Sequence, residues 1–384
     1  MDDIRKVLIV GAGIGGLGAG AALASRGVDV EIVEIQPEPN VYGVGINQPA
    51  NSLRALQALG VLDEVRDIGF EFDRWIFHDH RGNLVVDVPS HLGGNGIPPQ
   101  VGLTRRNLHD ILIGAADRAG ARTTYGTTVA AVEDGNGGVE VTLSDGREEE
   151  FDLVVGFDGI NSAMRKRLFA DAYDCIYSGY GVWRVTVPRP AEITYGALYQ
   201  APGAKAGHIP LSRDLMYLLL VHPEPHHARF DRATYVEMLR ERLAPFEGVV
   251  GDIRDALKEG DDVVYSPLSE VMLPAPWSKG RILLCGDAAH ACTPHITQGA
   301  AMALEDAVVL PEELAPTDRP LAERLRSFSE RRYPRAKFVQ DVSRGILNAE
   351  MQINAGNIDH AFAHMKKELP GQMAGVDAFL NQPA

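Results

Sequence analysis

Three glycines near the start of the chain have the spacing of a phosphate-binding turn. Gly11, Gly13 and Gly16 form the pattern GxGxxG between the apolar run 7–10 and a stretch of small residues with helical spacing. Gly11 permits the tight bend, Gly13 lets the backbone approach a pyrophosphate, and Gly16 allows close packing of the helix. The pattern therefore predicts a strand, a turn and a helix whose first N–H groups meet a pyrophosphate.

Glu34 ends the second apolar run of this unit, 23 residues after Gly11. A carboxylate at the end of the second strand is placed to accept hydrogen bonds from a ribose diol. An acid at this position disfavours a 2′-phosphate, which an arginine would accommodate. The dinucleotide is therefore expected to be FAD or NAD.

Two further segments place charged side chains at predicted helix starts. Thr104 is a predicted N-cap with Arg105 in the first turn, and Ser162 is a predicted N-cap for a helix that carries Arg165, shortly after Asp158. A cation at a helix N-terminus opposes the helix macrodipole. Arg105 is therefore expected to have an anionic partner such as a pyrophosphate.

Residues 286–299 read GDAAHACTPHITQG and combine an acid, a proline and a closing glycine. Together with GxGxxG, GINQPANSLRAL at 45–56 and DGINSAMR at 158–165, this stretch resembles the FAD-dependent aromatic-ring hydroxylases, the single-component flavoprotein monooxygenases of the p-hydroxybenzoate hydroxylase type. The GYxxWR pattern at 179–184 is similar to hydroxylases of the salicylate and 3-hydroxybenzoate type. The resemblance spans residues 1 to about 350.

The resemblance implies a role for each motif in holding FAD. The GD motif would supply Asp287 to the ribityl chain and Pro294 to the flavin ring edge, and the helix opened by Gly299 would face the N1–C2=O region. The DG motif would support both the FAD pyrophosphate and transient nicotinamide binding. The implied cofactor contacts are Gly11, Gly13, Gly15, Gly16, Glu34, Gly45, Arg105, Val129, Asp158, Arg165, Asp287, Pro294, Gly299 and Ala300.

The same resemblance implies an α/β fold in which a Rossmann-like FAD-binding domain is interleaved with a β-sheet substrate domain. The residues agree, because the segment after residue 172 is rich in strand patterns broken by prolines. The expected divisions are 1–71, 101–172 and 278–345 for the FAD-binding domain, 72–100 and 173–277 for the substrate domain, and 346–384 for a C-terminal helical segment.

The implied activity is an NAD(P)H-consuming monooxygenase that hydroxylates a small activated aromatic or N-heteroaromatic ring through a flavin C4a-hydroperoxide. Because only one GxGxxG occurs, the nicotinamide would visit the flavin transiently. We expect bound substrate to gate flavin reduction, with Gly43 and Gly45 supplying backbone freedom for the movement. A flavoprotein epoxidase, a Baeyer–Villiger enzyme and a non-catalytic flavin-binding sensor remain alternatives.

Hydroxylation of a phenol or hydroxypyridine is helped by a base near the ring. His208, on a predicted strand, is the first candidate because of its pKa, and Tyr217 is the second. Pro294 completes the predicted catalytic set as an apolar, rigid residue beside the reacting edge. Arg184 and Arg213 are candidates to pair a substrate carboxylate.

The loop of residues 286–299 departs from the family's pattern near its end. Thr297 stands where a glycine is common before Gln298, and just beyond the loop Ala301 stands where an asparagine often occurs. These two departures predict a stiffer loop backbone.

Composition narrows the partners. The 384 residues carry 37 basic and 52 acidic side chains, a net charge of −15, which disfavours nucleic acid and anionic membrane surfaces. Three scattered cysteines indicate reduced thiols, and the lack of HExxH spacing predicts no metal. Without a long apolar stretch, we expect a cytoplasmic monomer or homodimer whose partners are a small aromatic substrate and oxygen.

Overall fold

The computed structural model describes residues 3–39, 44–135, 137–226 and 228–384. The strands are β1 Lys6–Val10, β2 Asp29–Glu34, β3 Gly45–Pro49, β4 Phe70–Phe72, β5 Arg74–Asp79, β6 Leu84–Pro89, β7 Gln100–Thr104, β8 Arg122–Tyr125, β9 Val129–Asp134, β10 Val139–Leu143, β11 Glu148–Phe151, β12 Leu153–Gly156, β13 Ile176–Pro188, β14 Gly196–Ala201, β15 Ala204–Pro210, β16 Leu215–Pro223, β17 Val264–Glu270, β18 Ser278–Lys279 and β19 Ile282–Leu284. The helices are α1 Ile14–Ala24, α2 Ala50–Ala58, α3 Leu62–Ile68, α4 Arg105–Ala119, α5 Ala163–Phe169, α6 Tyr235–Arg242, α7 Gly248–Ala256, α8 Asp287–His290, α9 Gly299–Leu314, α10 Leu321–Met351 and α11 Ile358–Leu380.

The first layer is a six-stranded sheet in the order β18-β19-β12-β1-β2-β8. Strand β1 pairs in parallel with both β2 and β12, and its residues from Val7 to Val10 are buried. A continuous apolar run is what a strand covered on both faces requires. Helix α1 is made of small residues and packs closely against α4 and α9. Strands β9, β10 and β11 form the antiparallel meander that the turn residues predict.

The second layer is a seven-stranded sheet in the order β17-β13-β16-β15-β14-β5-β6. Its strands come from two separate stretches of chain, 74–89 and 176–270, between which strands and helices of the first layer intervene. The predicted fold class, a Rossmann-like domain interleaved with a β-sheet domain, is confirmed. The exact divisions stay predictions, and α10 runs through the expected boundary at 345.

The two faces of this second sheet have different neighbours, because successive side chains of a strand alternate between faces. The outer face packs against α6 and α7 and carries, among others, Trp183, Tyr199 and Leu218. The inner face looks toward the first layer, and Tyr217 on this face lies against Gly45 of β3. Lys205, also on the inner face, reaches toward α10.

Membrane-spanning helices and clusters of metal-binding side chains are both absent from the described ranges. None of the helices there has both the length and the apolar character needed to cross a bilayer. Nor does that part of the chain contain three or more His, Cys, Asp or Glu side chains grouped so that they could hold a metal ion.

Candidate functional site

The glycine turn joins β1 to α1 as predicted. Gly11 has φ +108°, and a Cβ there would lie 2.5 Å from the Phe157 carbonyl oxygen. A Cβ on Gly16 would lie 1.9 Å from the Gly11 oxygen, and one on Gly15 would strike the Phe157 ring. At Gly13, the N-cap of α1, a Cβ would meet no atom within 4 Å. Three glycines are therefore required by the protein itself, while Gly13 leaves the helix N-terminus open to a ligand, which fits a pyrophosphate.

Glu34 is fixed against this turn by backbone donors. Its Oε2 accepts a hydrogen bond from Ala12 N at 2.9 Å, and its Oε1 accepts one from Gln36 N at 2.9 Å. A carboxylate oxygen has a further lone pair after one such bond. Glu34 therefore lies where a ribose diol of a dinucleotide on the turn would donate to it.

An acid of α9 holds the GD loop, residues 286–299, in place. Gly286 N donates to Asp306 Oδ2 at 2.8 Å, and His290 Nε2 lies 2.6 Å from the same oxygen. Arg332 Nε donates to Asp306 Oδ1 at 2.7 Å. The hydrogen bonds and charges of His290 and Arg332 lower the pKa of Asp306 to about 2, although burial opposes them. Asp306 is thus an ionised positioning residue for the GD loop.

The neighbouring acid Glu305 extends this network to the segment of β3 and α2. Its carboxylate accepts hydrogen bonds from Arg332, Arg335 and Asn51 at 2.7–2.8 Å. Sequence reasoning missed both acids. The available signal was a consecutive acid pair inside the otherwise apolar helical run GAAMALEDAVVL, because unpaired acids are rarely buried in such a run.

Asp287, the first residue of α8, behaves differently from Asp306. Its side chain is exposed on the site surface, and its carboxylate accepts no hydrogen bond from the described residues. Surrounding protein raises the pKa of Asp287, while His290 and Arg105 oppose the shift. A hydroxylated ligand would supply the missing donors, so Asp287 fits the predicted ribityl contact.

Pro294 opens a short 3-10 turn that ends at Ile296, and Thr297 follows with φ +55°. This left-handed conformation is strained for a β-branched residue, at a cost on the order of 1–3 kcal/mol. Asn47 Nδ2 donates to Thr297 Oγ1 at 3.2 Å and helps to hold it. Thr297 is the residue that departs from the family's pattern, and the stiffness of the loop stays a prediction.

Helix α9 then begins at Gly299, followed by Ala300. A Cβ on Gly299 would meet no atom within 4 Å. Space is therefore open beside the first turn of this 16-residue helix, whose first N–H groups have no acceptor within the helix. Their positive end suits the electron-rich pyrimidine edge of a flavin.

The DG segment departs from the prediction. Arg165 is 2% exposed, and its guanidinium donates to the carbonyls of Ile160 and Ala288. It joins the DG turn to α8 and has little surface left for a nucleotide, so the prediction of Arg165 as a direct ligand does not fit. Asp158 accepts from Ser162 Oγ at 2.5 Å and Met164 N at 2.9 Å, which caps α5.

Val129, like Asp158, is predicted to contact the cofactor and is hydrogen-bonded to other residues of the protein. The carbonyl of Val129 accepts a hydrogen bond from Arg167, and its side chain lies in the core. Ligand contacts of Val129 and Asp158 stay predictions.

Arg105 and Arg184 form an unpaired cationic pair beside Tyr217. Thr104 caps α4 as predicted, by accepting a hydrogen bond from Asn107 N, and Arg105 follows it. Neither guanidinium has a hydrogen bond or an ion pair within the described residues, and Arg105 Nε is buried. Burial lowers the pKa of Arg184 to about 10, and the charge of Arg105 adds to this effect. A half-buried cation without a partner is costly, so this pair indicates a place for an anion.

Tyr217 lies between these cations and β3. Burial raises the pKa of Tyr217, while Arg184 and Arg105 oppose the shift. A Cβ on Gly45 would lie 2.3 Å from Tyr217 Cδ1, and Gly45 is not in the left-handed region. Close packing therefore explains this glycine, and the prediction that Gly45 supplies backbone freedom is wrong. Gly43 lies outside the described residues.

His208 lies on the outer face and is fully buried. Its Nε2 lies 3.3 Å from Tyr199 Oη, and burial lowers the pKa of His208 to about 3. The sheet separates His208 from Arg184, Tyr217 and the GD loop. The prediction of His208 as the substrate base is therefore wrong, and Tyr217 is the predicted residue that faces the site.

The two layers and their open helix termini define a dinucleotide-dependent oxidoreductase with a site between the glycine turn, the GD loop and the inner face. The family described as "FAD binding domain" matches residues 5–343, and the chain belongs to this family. It is a FAD-dependent monooxygenase.

Individual relatives agree with this assignment. The chain is 34% identical over 340 residues to the 2-heptyl-3-hydroxy-4(1H)-quinolone synthase of Pseudomonas aeruginosa, covering 88% of this chain and 87% of that protein. It is 30% identical to the 6-hydroxynicotinate 3-monooxygenase of Bordetella bronchiseptica, with coverages of 89% and 91%. The structure of Klebsiella pneumoniae HpxO complexed with FAD and uric acid matches with a TM-score of 0.86, 24% identity and 97% coverage of both chains, which shows a shared fold.

Proposed function

We propose that this enzyme hydroxylates a small, electron-rich aromatic or N-heteroaromatic ring at the inner face of the seven-stranded sheet, with NAD(P)H as the reductant. The observation that carries the proposal is the unpaired cation Arg184 beside Tyr217, since Arg105 would be paired by the pyrophosphate of FAD. Phenols, hydroxybenzoates and hydroxypyridines present an ionisable oxygen or a carboxylate, which is the charge that such a site lacks.

Separate sets of residues would bind the cofactor and the ring. Gly13 and Arg105 would hold the pyrophosphate, Glu34 the ribose diol and Asp287 the ribityl hydroxyls. When bound, FAD supplies electron transfer and the activation of oxygen.

At the ring, Arg184 would stabilise negative charge on the substrate. Tyr217 would hydrogen-bond the oxygen substituent of the ring and so orient the substrate. Pro294 would cover the reacting edge with an apolar surface and limit the access of water. Relatives named for quinolone and hydroxynicotinate chemistry favour a nitrogen-containing ring.

The proposal also covers how NAD(P)H binds and where in the cell the enzyme works. Only one dinucleotide turn is evident, so NAD(P)H would bind transiently, and a bound ring would accelerate flavin reduction. The free cysteines suit a reducing, cytoplasmic setting.

A panel of ring compounds tests the proposal. FAD-loaded protein would be mixed with NADH or NADPH and with 6-hydroxynicotinate, 3-hydroxybenzoate or 2-heptyl-4(1H)-quinolone under isotopically labelled dioxygen. We expect at least one compound to accelerate NAD(P)H oxidation and to gain one labelled oxygen atom on the ring. Nicotinamide oxidation that no ring compound accelerates, with no labelled product, would contradict the proposal.

A further inference from the structure

A buried charged cluster joins three elements that the binding of FAD does not explain. Lys205 lies on β15, Glu350 in the last turn of α10, and His295 directly after Pro294. Lys205 Nζ lies 2.5 Å from Glu350 Oε2, which lies 3.7 Å from His295 Nε2. The side chain of Lys205 is 5% exposed and that of His295 is fully buried. Such a pair is costly to bury, and its retention calls for a reason.

The charge state of the cluster follows from its surroundings. Burial lowers the pKa of His295 well below its usual value, and Lys205 on β15 adds to the effect. Burial raises the pKa of Glu350, although Lys205 opposes the shift. His295 is therefore neutral. Its Nδ1 lies 3.1 Å from Thr293 Oγ1, and its Nε2 has no hydrogen-bond partner in the described part of the chain.

Lys205 stands on the same face of the sheet as the proposed ring site. In the antiparallel register, Lys205 pairs with Val221 and Ile209 pairs with Tyr217, so these residues share the inner face. Gln200, opposite Lys205 on β14, donates its amide to the Glu350 carbonyl at 3.4 Å. The end of α10 is thereby tied to the inner face at the point where α10 also contacts the Pro294 turn.

We propose that Lys205 and Glu350 are positioning residues that hold the Pro294–Ile296 turn against the substrate sheet and let the turn respond to a bound ring. The proposal rests on the proposed function, since it concerns the same ring site. An ammonium group has three donors. An oxygen anion of a ring on the inner face competes with Glu350 for Lys205, and a weaker hold on Glu350 changes the packing of His295 and of the neighbouring Pro294. The ion pair thus couples ring binding to the loop that borders the flavin.

The test compares two buried ion pairs on opposite faces of one sheet. The double variant Lys205→Met/Glu350→Met removes both charges at similar volume, a change that buried pairs tolerate. The control, Arg242→Met/Glu224→Gln, breaks the outer-face pair and keeps an acceptor for Trp183. Both variants and the wild type would be loaded with FAD and reduced by NADH in a stopped-flow instrument, with and without the panel compound that accelerates the wild type most.

We expect the acceleration by the ring compound to fall by about tenfold in the inner-face variant and to persist in the control. Lys205→Arg should retain most of it, because the cation is kept. Equal acceleration in the wild type and the inner-face variant would overturn the inference. Absence of acceleration in the wild type would instead count against the proposed function.

A second readout needs no ring compound. Because the turn borders the flavin, Lys205→Met and the inner-face double variant should shift the visible absorption of bound FAD, whereas the control should not. Wild-type spectra for Lys205→Met and for the Lys205→Met/Glu350→Met variant would overturn the inference independently.

Discussion

Both faces of the seven-stranded sheet carry charged residues, but those of the outer face have partners within the protein and Arg184 on the inner face has none among the described residues. On the outer face, Glu224 accepts hydrogen bonds from Trp183 Nε1 at 2.9 Å and from Arg242 at 2.5 and 2.9 Å. Burial opposes ionisation there, but the hydrogen bonds from His222, Arg242 and Trp183 lower the pKa of Glu224 to about 2. On the inner face, Arg184 follows Trp183 directly and has no acidic partner in the part of the chain that the structure describes. Missing partners, rather than burial, therefore mark the inner face as the proposed ligand site.

The comparison predicts the largest effect for Arg184→Met. Loss of a cation aimed at charge on the ring should lower kcat/KM by about 100-fold or more. The thermal unfolding temperature should hold or rise, because the change removes an unpaired, half-buried charge. Arg184→Lys should recover part of the activity. A variant with wild-type kcat/KM would break the distinction between the faces.

Arg242→Met, on the outer face, should lower stability and leave activity nearly unchanged. It leaves Glu224 buried without its main cation, and the free energy of unfolding should fall by about 3 kcal/mol. Activity at a temperature where the protein is folded should stay near that of the wild type. Urea denaturation followed by circular dichroism, with kcat/KM on the same preparation, measures both quantities. Lost activity with unchanged stability would contradict a structural role for the outer face.

Asp287→Ala extends the contrast to the cofactor. The Asp287 carboxylate has no donor among the described residues, so its removal should weaken FAD binding by about 1.5–3 kcal/mol while leaving the fold intact. Equilibrium titration of the apoprotein with FAD measures the change. Asp262→Ala, which removes an exposed acid paired with Arg232, is the control and should bind FAD normally. Unchanged affinity in Asp287→Ala would refute the ribityl assignment.

The smallest expected effect concerns His208 and pH. Its folded-state pKa of about 3 lies below the unfolded value of about 6.5, so its stabilising contribution is complete above the unfolded value and is lost as pH falls toward 3. From about pH 7.5 to about pH 5.5, His208 should account for a loss of about 1.4 kcal/mol in unfolding free energy.

His208→Gln should lose that part of the pH dependence, whereas the exposed control His364→Gln should keep it. Identical slopes in wild type and His208→Gln would show that the imidazole protonates in the folded state. Denaturation curves at the two pH values provide the measurement.

The sequence could predict the parts of the molecule that depend on local spacing. GxGxxG, the acid at Glu34 and the Thr104 cap each follow from a few consecutive residues, and so does the meander of β9 to β11. The interleaved fold came from the resemblance of several motifs together.

What the sequence could not settle was which side of a covered strand faces the site. Both faces of the sheet are buried, so alternation alone does not distinguish His208 from Tyr217. The partners of Asp306 and Glu305 come from α10, which is distant in sequence, and nothing local reveals those contacts. Arg165 was misassigned for the same reason, since its carbonyl acceptors include Ala288.

The central claim is that the ring binds at the inner face next to Arg184. The direct measurement is the affinity of FAD-loaded protein for the most active panel compound, followed by the change in flavin absorption, in wild type, Arg184→Met and His208→Gln. We predict that Arg184→Met binds the compound about tenfold or more weakly, because a charge-assisted contact is lost, and that His208→Gln binds like the wild type. Wild-type affinity in Arg184→Met together with a loss in His208→Gln would contradict the account.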